Sequence, residues 1–364
     1  MFLTLRIFSA TGGIEKVCRV VGKALYENNI ESKGSIRIFS MYDTKPDAYQ
    51  NLYFPLEIFR GFGKNKIAFT IKSFFFGLQS DTIIISHINL LIVGWLIKKV
   101  RPQKKVVLFA HGIEVWSHLS YLKRKMILSC DVVLPVSHYT LERLIHSIQI
   151  KASVCKVVNN CLDPYMPLVE DSKRVSSLKE KYGIQSTDKI LFTLCRLSSK
   201  ERYKGYDKVI RSLPQILLEQ PNLKYILAGS FDEDEKKYLD NIIKEMGVSD
   251  VVIFTGFVSN EDLVAHFLIS DLYIMPSIKE GFGIVFVEAM CYGLPVIAGN
   301  RDGSVDALLN GELGLLIDPL DVDEITNAIK IVLDNKDKYI PSRNIMMENF
   351  SYEVYKNKLH LALS

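Results

Sequence analysis

The stretch from Leu272 to Ala298 limits the folds open to this chain more than any other. An apolar run, Leu272-Tyr273-Ile274-Met275, ends at Pro276-Ser277, and the loop Glu280-Gly281-Phe282-Gly283 follows. From Ile284 the apolar positions Ile284, Val287, Ala289 and Cys291 fall at helical spacing. Gly293 and Pro295 stop that helix and lead into Val296-Ile297-Ala298. The pattern predicts a strand, a glycine loop, a helix and a second strand. Backbone N–H groups at such a helix N-terminus lack partners and sit at the positive end of the helix dipole, so the loop is a natural anion site.

Two carboxylates flank the loop. Glu280 and Glu288 are eight residues apart, which along a helical path is roughly 12 Å at about 1.5 Å per residue. Hydrolytic carboxylate pairs stand closer, at about 5 to 9.5 Å. The spacing therefore suits two parts of one extended ligand: sugar hydroxyls at Glu280, a ribose at Glu288, and phosphates at the glycine N–H groups between them.

With these residues in view, the segment resembles the E-x7-E motif of retaining glycosyltransferases of family 4. The resemblance implies an α/β chain with the GT-B fold, two facing Rossmann-like domains and a C-terminal helix crossing back to the first. It extends over nearly the whole chain, is most specific from Leu191 to Pro319, and is weakest before His111. A length of 364 residues is long for one domain and comfortable for two. Pro164 and Pro167 place a linker at 163–171. The expected division is 1–165 with about 350–364 as the acceptor domain, and 166–349 as the donor-nucleotide domain.

Further residues take roles by the same resemblance. Arg196 and the Lys204-Gly205 pair resemble the Arg and Lys-Gly that hold the donor diphosphate, two cations neutralising a leaving group without a metal. The intervening loop is long, and Lys200 and Arg202 compete with Lys204 for that role. His111, at the end of the strand Lys105–Ala110, resembles a histidine facing the donor sugar; a polar group at that end of a parallel strand is also where α/β proteins meet ligands. Gly12-Gly13 allows close backbone approach near the diphosphate and acceptor. Gly281, Phe282, Gly283 and Glu288 are expected to bind the donor, and Phe257 and Val258 its base. Gly303-Ser304 and Asp306 occupy the family's Gly-Gly-x-x-Glu place. Asn159-Asn160-Cys161-Leu162-Asp163 resembles its Asn-Gly-(Val/Ile)-Asp turn, with Cys161 where glycine is usual.

The resemblance implies transfer of a sugar, with retention, from a nucleoside-diphosphate donor to a glycan or polyprenyl-linked acceptor in cell-surface polysaccharide assembly. GDP-mannose is favoured as donor, and a UDP-sugar remains open. Neither a metal nor a further cofactor is expected. Two rival readings share these features: a non-hydrolysing nucleotide-sugar epimerase, and a non-catalytic nucleotide-sugar or membrane-binding module.

Charge adds a partner. Residues 1–165 hold 22 Lys and Arg against 11 Asp and Glu, whereas the remainder holds 23 against 30. The basic first half points to an anionic partner. Within it, Phe59–Lys72 interleaves aromatics with Arg60, Lys64, Lys66 and Lys72. That stretch reads either as an interfacial contact with an anionic membrane, using Phe62 and Lys64, or as a core helix with solvated lysines. An anionic membrane is preferred over nucleic acid. The six cysteines show no C-x2-C pair, so structural zinc and a disulfide framework are not indicated. Thr82–Ile97, the longest apolar run, is short of the ~20 residues of a spanning helix. With no signal-like start at Met1–Ser9, the expected location is cytoplasmic, on the inner face of the membrane.

Overall fold

The computed structural model describes residues 1–116, 119–167 and 172–364. Of the linker expected at 163–171, residues 168–171 lie outside the described residues. The chain forms two units, Met1–Tyr165 with Phe350–Ser364, and Met166–Asn349.

In the first unit, β1 (Phe2–Thr4), β2 (Ile38–Ser40), β3 (Phe59–Gly61), β4 (Thr82–Ile85), β5 (Lys105–Ala110) and β6 (Val132–Pro135) form one parallel sheet in the order β3-β2-β1-β4-β5-β6. Its helices are α1 (Gly13–Glu31), α2 (Lys66–Leu78), α3 (Leu91–Val100), α4 (Ile113–Trp116), α5 (Tyr121–Ile127) and α6 (His138–Ile148). The adjacent strands β4, β5 and β6 are apolar and almost wholly buried, as a sheet covered on both faces requires. Ser137 caps α6 by accepting the Thr140 N–H.

The first strand is shorter than an apolar reading of Leu3–Phe8 suggests. Asp43, fully buried, accepts N–H groups from Ile7 (2.6 Å) and Ser9 (2.8 Å) and the Ser40 hydroxyl (2.6 Å). The Ile7 and Ser9 N–H groups thereby leave the sheet ladder, and the chain turns into the loop before α1.

The stretch Phe59–Lys72 divides between the two readings open for it. Phe59 and Phe69 are buried, and Phe62 packs edge-on against Phe39 and Phe69. Pairing of β3 with β2 pulls these rings into the core, so they are not free to enter a bilayer. What α2 does expose is Ile67, Ile71 and Phe75, spaced four apart on one face.

The second unit repeats the plan with β7 (Lys189–Leu194), β8 (Leu223–Ala228), β9 (Val252–Gly256), β10 (Leu272–Met275), β11 (Val296–Gly299) and β12 (Leu315–Ile317), ordered β12-β11-β10-β7-β8-β9. Around this parallel sheet lie α7 (Ser172–Lys181), α8 (Tyr206–Leu217), α9 (Glu233–Met246), α10 (Asn260–Ile269), α11 (Ile284–Cys291), α12 (Ser304–Ala307) and α13 (Val322–Asp334). After α14 (Arg343–Phe350), the last helix, α15 (Tyr352–Leu363), belongs to the first unit and packs on α1. There the Tyr352 hydroxyl donates to Glu27 (2.6 Å) and Lys356 to Glu31 (2.9 Å).

Candidate functional site

In each unit the strand order reverses direction at one place, and open α/β sheets bind ligands at the C-terminal ends of the strands flanking that switch. In the second unit the switch lies between β7 and β10. The loop after β7 carries Arg196 to Lys204, and the loop after β10 carries Glu280 to Gly283.

Close backbone approach locks the two loops together. Gly205 has φ +78°, and a Cβ there would lie 2.2 Å from the Pro276 carbonyl oxygen. The Ile278 N–H donates to the Tyr203 carbonyl at 2.9 Å. Lys204 is thereby delivered to Glu280, and its ammonium forms an ion pair with the Glu280 carboxylate, their side chains 15% and 18% exposed. Desolvation opposes the charge on Lys204, but the Glu280 carboxylate more than offsets it and raises the lysine above its ordinary pKa.

The basic residues of the loop differ in their contacts. Arg202 donates from Nε to the buried Glu235 at 2.7 Å and lies 3.6 Å over the Tyr238 ring. Tyr206 donates to the same carboxylate at 2.9 Å, so Arg202 holds the loop. Lys200 is exposed. Arg196 is also exposed and meets Glu201 at 3.1 Å, apart from the Lys204–Glu280 pair.

Gly283, at φ +84°, caps α11 with no side chain donating or accepting there. Glu288 lies one turn inside that helix and is buried. Phe282 is buried as well, so its ring belongs to the core. Phe257 is 63% exposed directly after β9, and Val258 beside it is half-buried.

In the first unit the switch lies between β1 and β4. Gly12 caps α1, and a Cβ on it would stand 2.3 Å from a Glu15 carboxylate oxygen; Gly13 begins the helix. His111 follows β5, with Nε2 2.9 Å from the Ser86 carbonyl oxygen. A ring nitrogen facing a carbonyl must donate, which leaves Nδ1 the acceptor of a neutral ring. Burial pushes the His111 pKa down to about 4, against the Ser86 carbonyl and the Glu15 charge. The His111 backbone N–H donates to the Glu114 carboxylate at 2.6 Å.

Two residues here escape a motif search. His87 follows β4, accepts the Asn89 N–H at Nδ1 (3.1 Å), and has its pKa lowered chiefly by burial. Burial raises the Glu114 carboxyl. The signal for both is position, since each follows a central strand at its C-terminal end.

The chain is similar to known proteins in sequence and in fold. Residues 175–352 match the model of the family Glycosyl transferases group 1. That match covers most of the second unit. Among solved structures, the Anabaena protein HepE in complex with UDP and glucose is similar over 100% of this chain and 99% of its own, with TM-score 0.80 at 21% identity. Sucrose-phosphate synthase from Thermosynechococcus elongatus is similar over 100% and 98%, with TM-score 0.78 at 18% identity. The fold is GT-B. In sequence, the chain is 31% identical over 238 residues to a GDP-mannose-dependent alpha-(1-6)-phosphatidylinositol monomannoside mannosyltransferase of Mycolicibacterium smegmatis, covering 62% of this chain and 60% of that one. The chain thus spans about three fifths of the length of such curated relatives. Among the described residues, no helix is long and apolar enough to cross a membrane.

Proposed function

We propose that the chain transfers a sugar, with retention, from a nucleoside-diphosphate donor to a hydroxyl of a glycan or polyprenyl-linked acceptor in cell-surface polysaccharide assembly. The observation that carries this reading is the Lys204–Glu280 pair beside the glycine loop, with Glu288 one turn into the following helix. Donor binding would exchange Lys204 from Glu280 to the diphosphate and release Glu280 for sugar hydroxyls. Glu288 takes the ribose and Phe257 the base. As the bond to the anomeric carbon breaks, Lys204, Arg196 and the loop N–H groups hold the departing charge. The leaving phosphate accepts the acceptor's proton, so no resident metal is invoked. His111, neutral at physiological pH, contributes a ring acceptor rather than a cation.

GDP-mannose is the favoured donor, because the mycobacterial relatives are GDP-mannose-dependent mannosyltransferases. A UDP-sugar is the alternative, because HepE was solved with UDP and glucose. A thermal-shift panel of GDP, UDP, GDP-mannose and UDP-glucose tests the reading, since a bound donor stabilises by mass action. Stabilisation by none of them would exclude it.

The membrane is proposed as the setting. Helices α2, α3 and α5 contain no Asp or Glu, while they carry Lys66, Lys72, Lys98, Lys99, Lys123, Arg124 and Lys125. Ile67, Ile71, Phe75, Val100, Tyr121 and Leu122 are exposed on the same three helices, which pack side by side. Cations among exposed apolar side chains suit the inner, anionic leaflet, where a lipid-linked acceptor keeps its sugar.

A further inference from the structure

The second unit contains a buried carboxylate that the transfer reading leaves without a role. Asp302 lies after β11 and is 1% exposed. Its Oδ2 accepts the Ser277 hydroxyl at 2.6 Å and the Glu280 N–H at 2.6 Å, and its Oδ1 accepts the Ser304 N–H at 2.9 Å. The contact is returned, for the Gly303 N–H donates to the Glu280 carbonyl at 2.9 Å. The main chain of Glu280 is thus held at both its N–H and its C=O by the loop after β11.

That grip leaves little slack. A Cβ on Gly303 would lie 2.1 Å from the Gly281 carbonyl oxygen, and one on Gly299 would lie 2.1 Å from that of Ser277. Among the described residues Asp302 has no ion pair, and its neighbour Arg301 turns away to Asp318 at 2.5 Å. A buried carboxylate without a cation is costly, and burial lifts the Asp302 pKa to about 6 against the three donors. It is also a poor neighbour for an anion site. A role confined to capping the four-residue α12 would not require the Glu280 N–H to be gathered by the same group.

We propose that Asp302 is a positioning residue, acting through Glu280. By fixing the Glu280 main chain, it aims the carboxylate at the donor sugar once Lys204 has moved to the diphosphate. Ser277 completes the arrangement by holding the second lobe of Oδ2. The inference rests on the transfer reading, and it assigns Asp302 to recognition of the sugar, not of the nucleotide.

The test is calorimetric titration of the full chain with GDP, GDP-mannose, UDP and UDP-glucose. It uses wild type, Asp302→Ala, Asp302→Asn, Ser277→Ala, Glu280→Ala and the double variant Asp302→Ala/Glu280→Ala. In wild type, the nucleotide sugar is expected to bind more tightly than its nucleoside diphosphate. Asp302→Ala should keep the diphosphate affinity within about threefold while losing roughly tenfold or more of the sugar's advantage. Asp302→Asn, retaining one acceptor, should recover part of it, and the double variant should be no worse than Glu280→Ala alone. A folded Asp302→Ala protein with the wild-type advantage overturns the inference. So does a loss of the same size in the Glu280→Ala background as in wild type. If Asp302→Ala does not fold, Asp302→Asn and Ser277→Ala decide: an unchanged advantage in both refutes the role. A wild type that binds none of the four compounds fails at the transfer reading itself, which is a different result from binding that ignores Asp302.

Discussion

At the scale of single residues, the Lys204–Glu280 pair sets the expectations. Lys204→Ala should lower turnover by roughly 10²–10³, as loss of one preorganised charge-stabilising donor does. Because it also strands Glu280, the double variant Lys204→Ala/Glu280→Ala should cost less than the two single losses summed, which initial-rate measurements on the four proteins would show. Arg202→Ala should behave differently. Among the described residues it leaves the buried Glu235 with a single side-chain donor, Tyr206, and it should destabilise the protein by about 1–3 kcal/mol in denaturant titrations. Donor affinity of the folded protein should remain close to normal. If instead Lys200→Ala abolishes turnover and Lys204→Ala does not, the assignment within this loop is wrong. His111 gives a pH effect. Its native pKa is pushed down to about 4, so between about 6.5 and 4 the unfolded chain binds a proton that the native ring refuses. Its contribution to stability is whole above about pH 6.5 and is lost as pH falls toward 4. His111→Gln should therefore flatten the fall in Tm across that interval relative to wild type; an unchanged profile would show that the ring titrates normally.

Elements show how far local pattern reaches. The strand–loop–helix unit around Glu280 was legible because each boundary has its own signal: Pro276, the glycines of the loop, Gly293 and Pro295. The E-x7-E spacing could be converted to geometry for the same reason. The partner of Glu280 could not be read so directly, because Lys204 is 76 residues away and meets it only where β7 lies beside β10. Asp43 and Asp302 read as ordinary loop residues, since what marks them is burial among backbone donors from distant segments. Composition located the basic, aromatic stretch at Phe59–Lys72 but not its exposed side. Phe59 and Phe69 went inward with the sheet, whereas Ile67, Ile71 and Phe75 remain on the outer face of α2. On this basis, binding to phosphatidylglycerol vesicles should have two parts. Lys64/Lys66/Lys72→Glu should remove the salt-sensitive part, at about 1 kcal/mol per lysine. Ile67/Ile71/Phe75→Ser should remove the part that survives high salt. Wild type that ignores such vesicles at low salt would argue for an acceptor free in solution.

On the scale of the whole molecule, two parallel six-stranded sheets each place their chemistry at a switch in strand order. One gathers glycines, histidines and carboxylates at β1, β4 and β5. The other gathers a cation, a carboxylate and a glycine-capped helix at β7 and β10. The return of α15 to the first unit was readable as a terminal helix, and its tie to α1 through Glu27 and Glu31 became visible only in the fold. The central claim is that the second unit binds a nucleoside diphosphate with Glu288 on the ribose. Titration of wild type and Glu288→Ala with GDP and UDP tests it most directly. The account predicts that wild type binds one of the two, and that Glu288→Ala weakens that binding by about 1.5–3 kcal/mol, the worth of a charge-assisted hydrogen bond. Equal affinity in the two proteins, with Glu288→Ala folded, would contradict it.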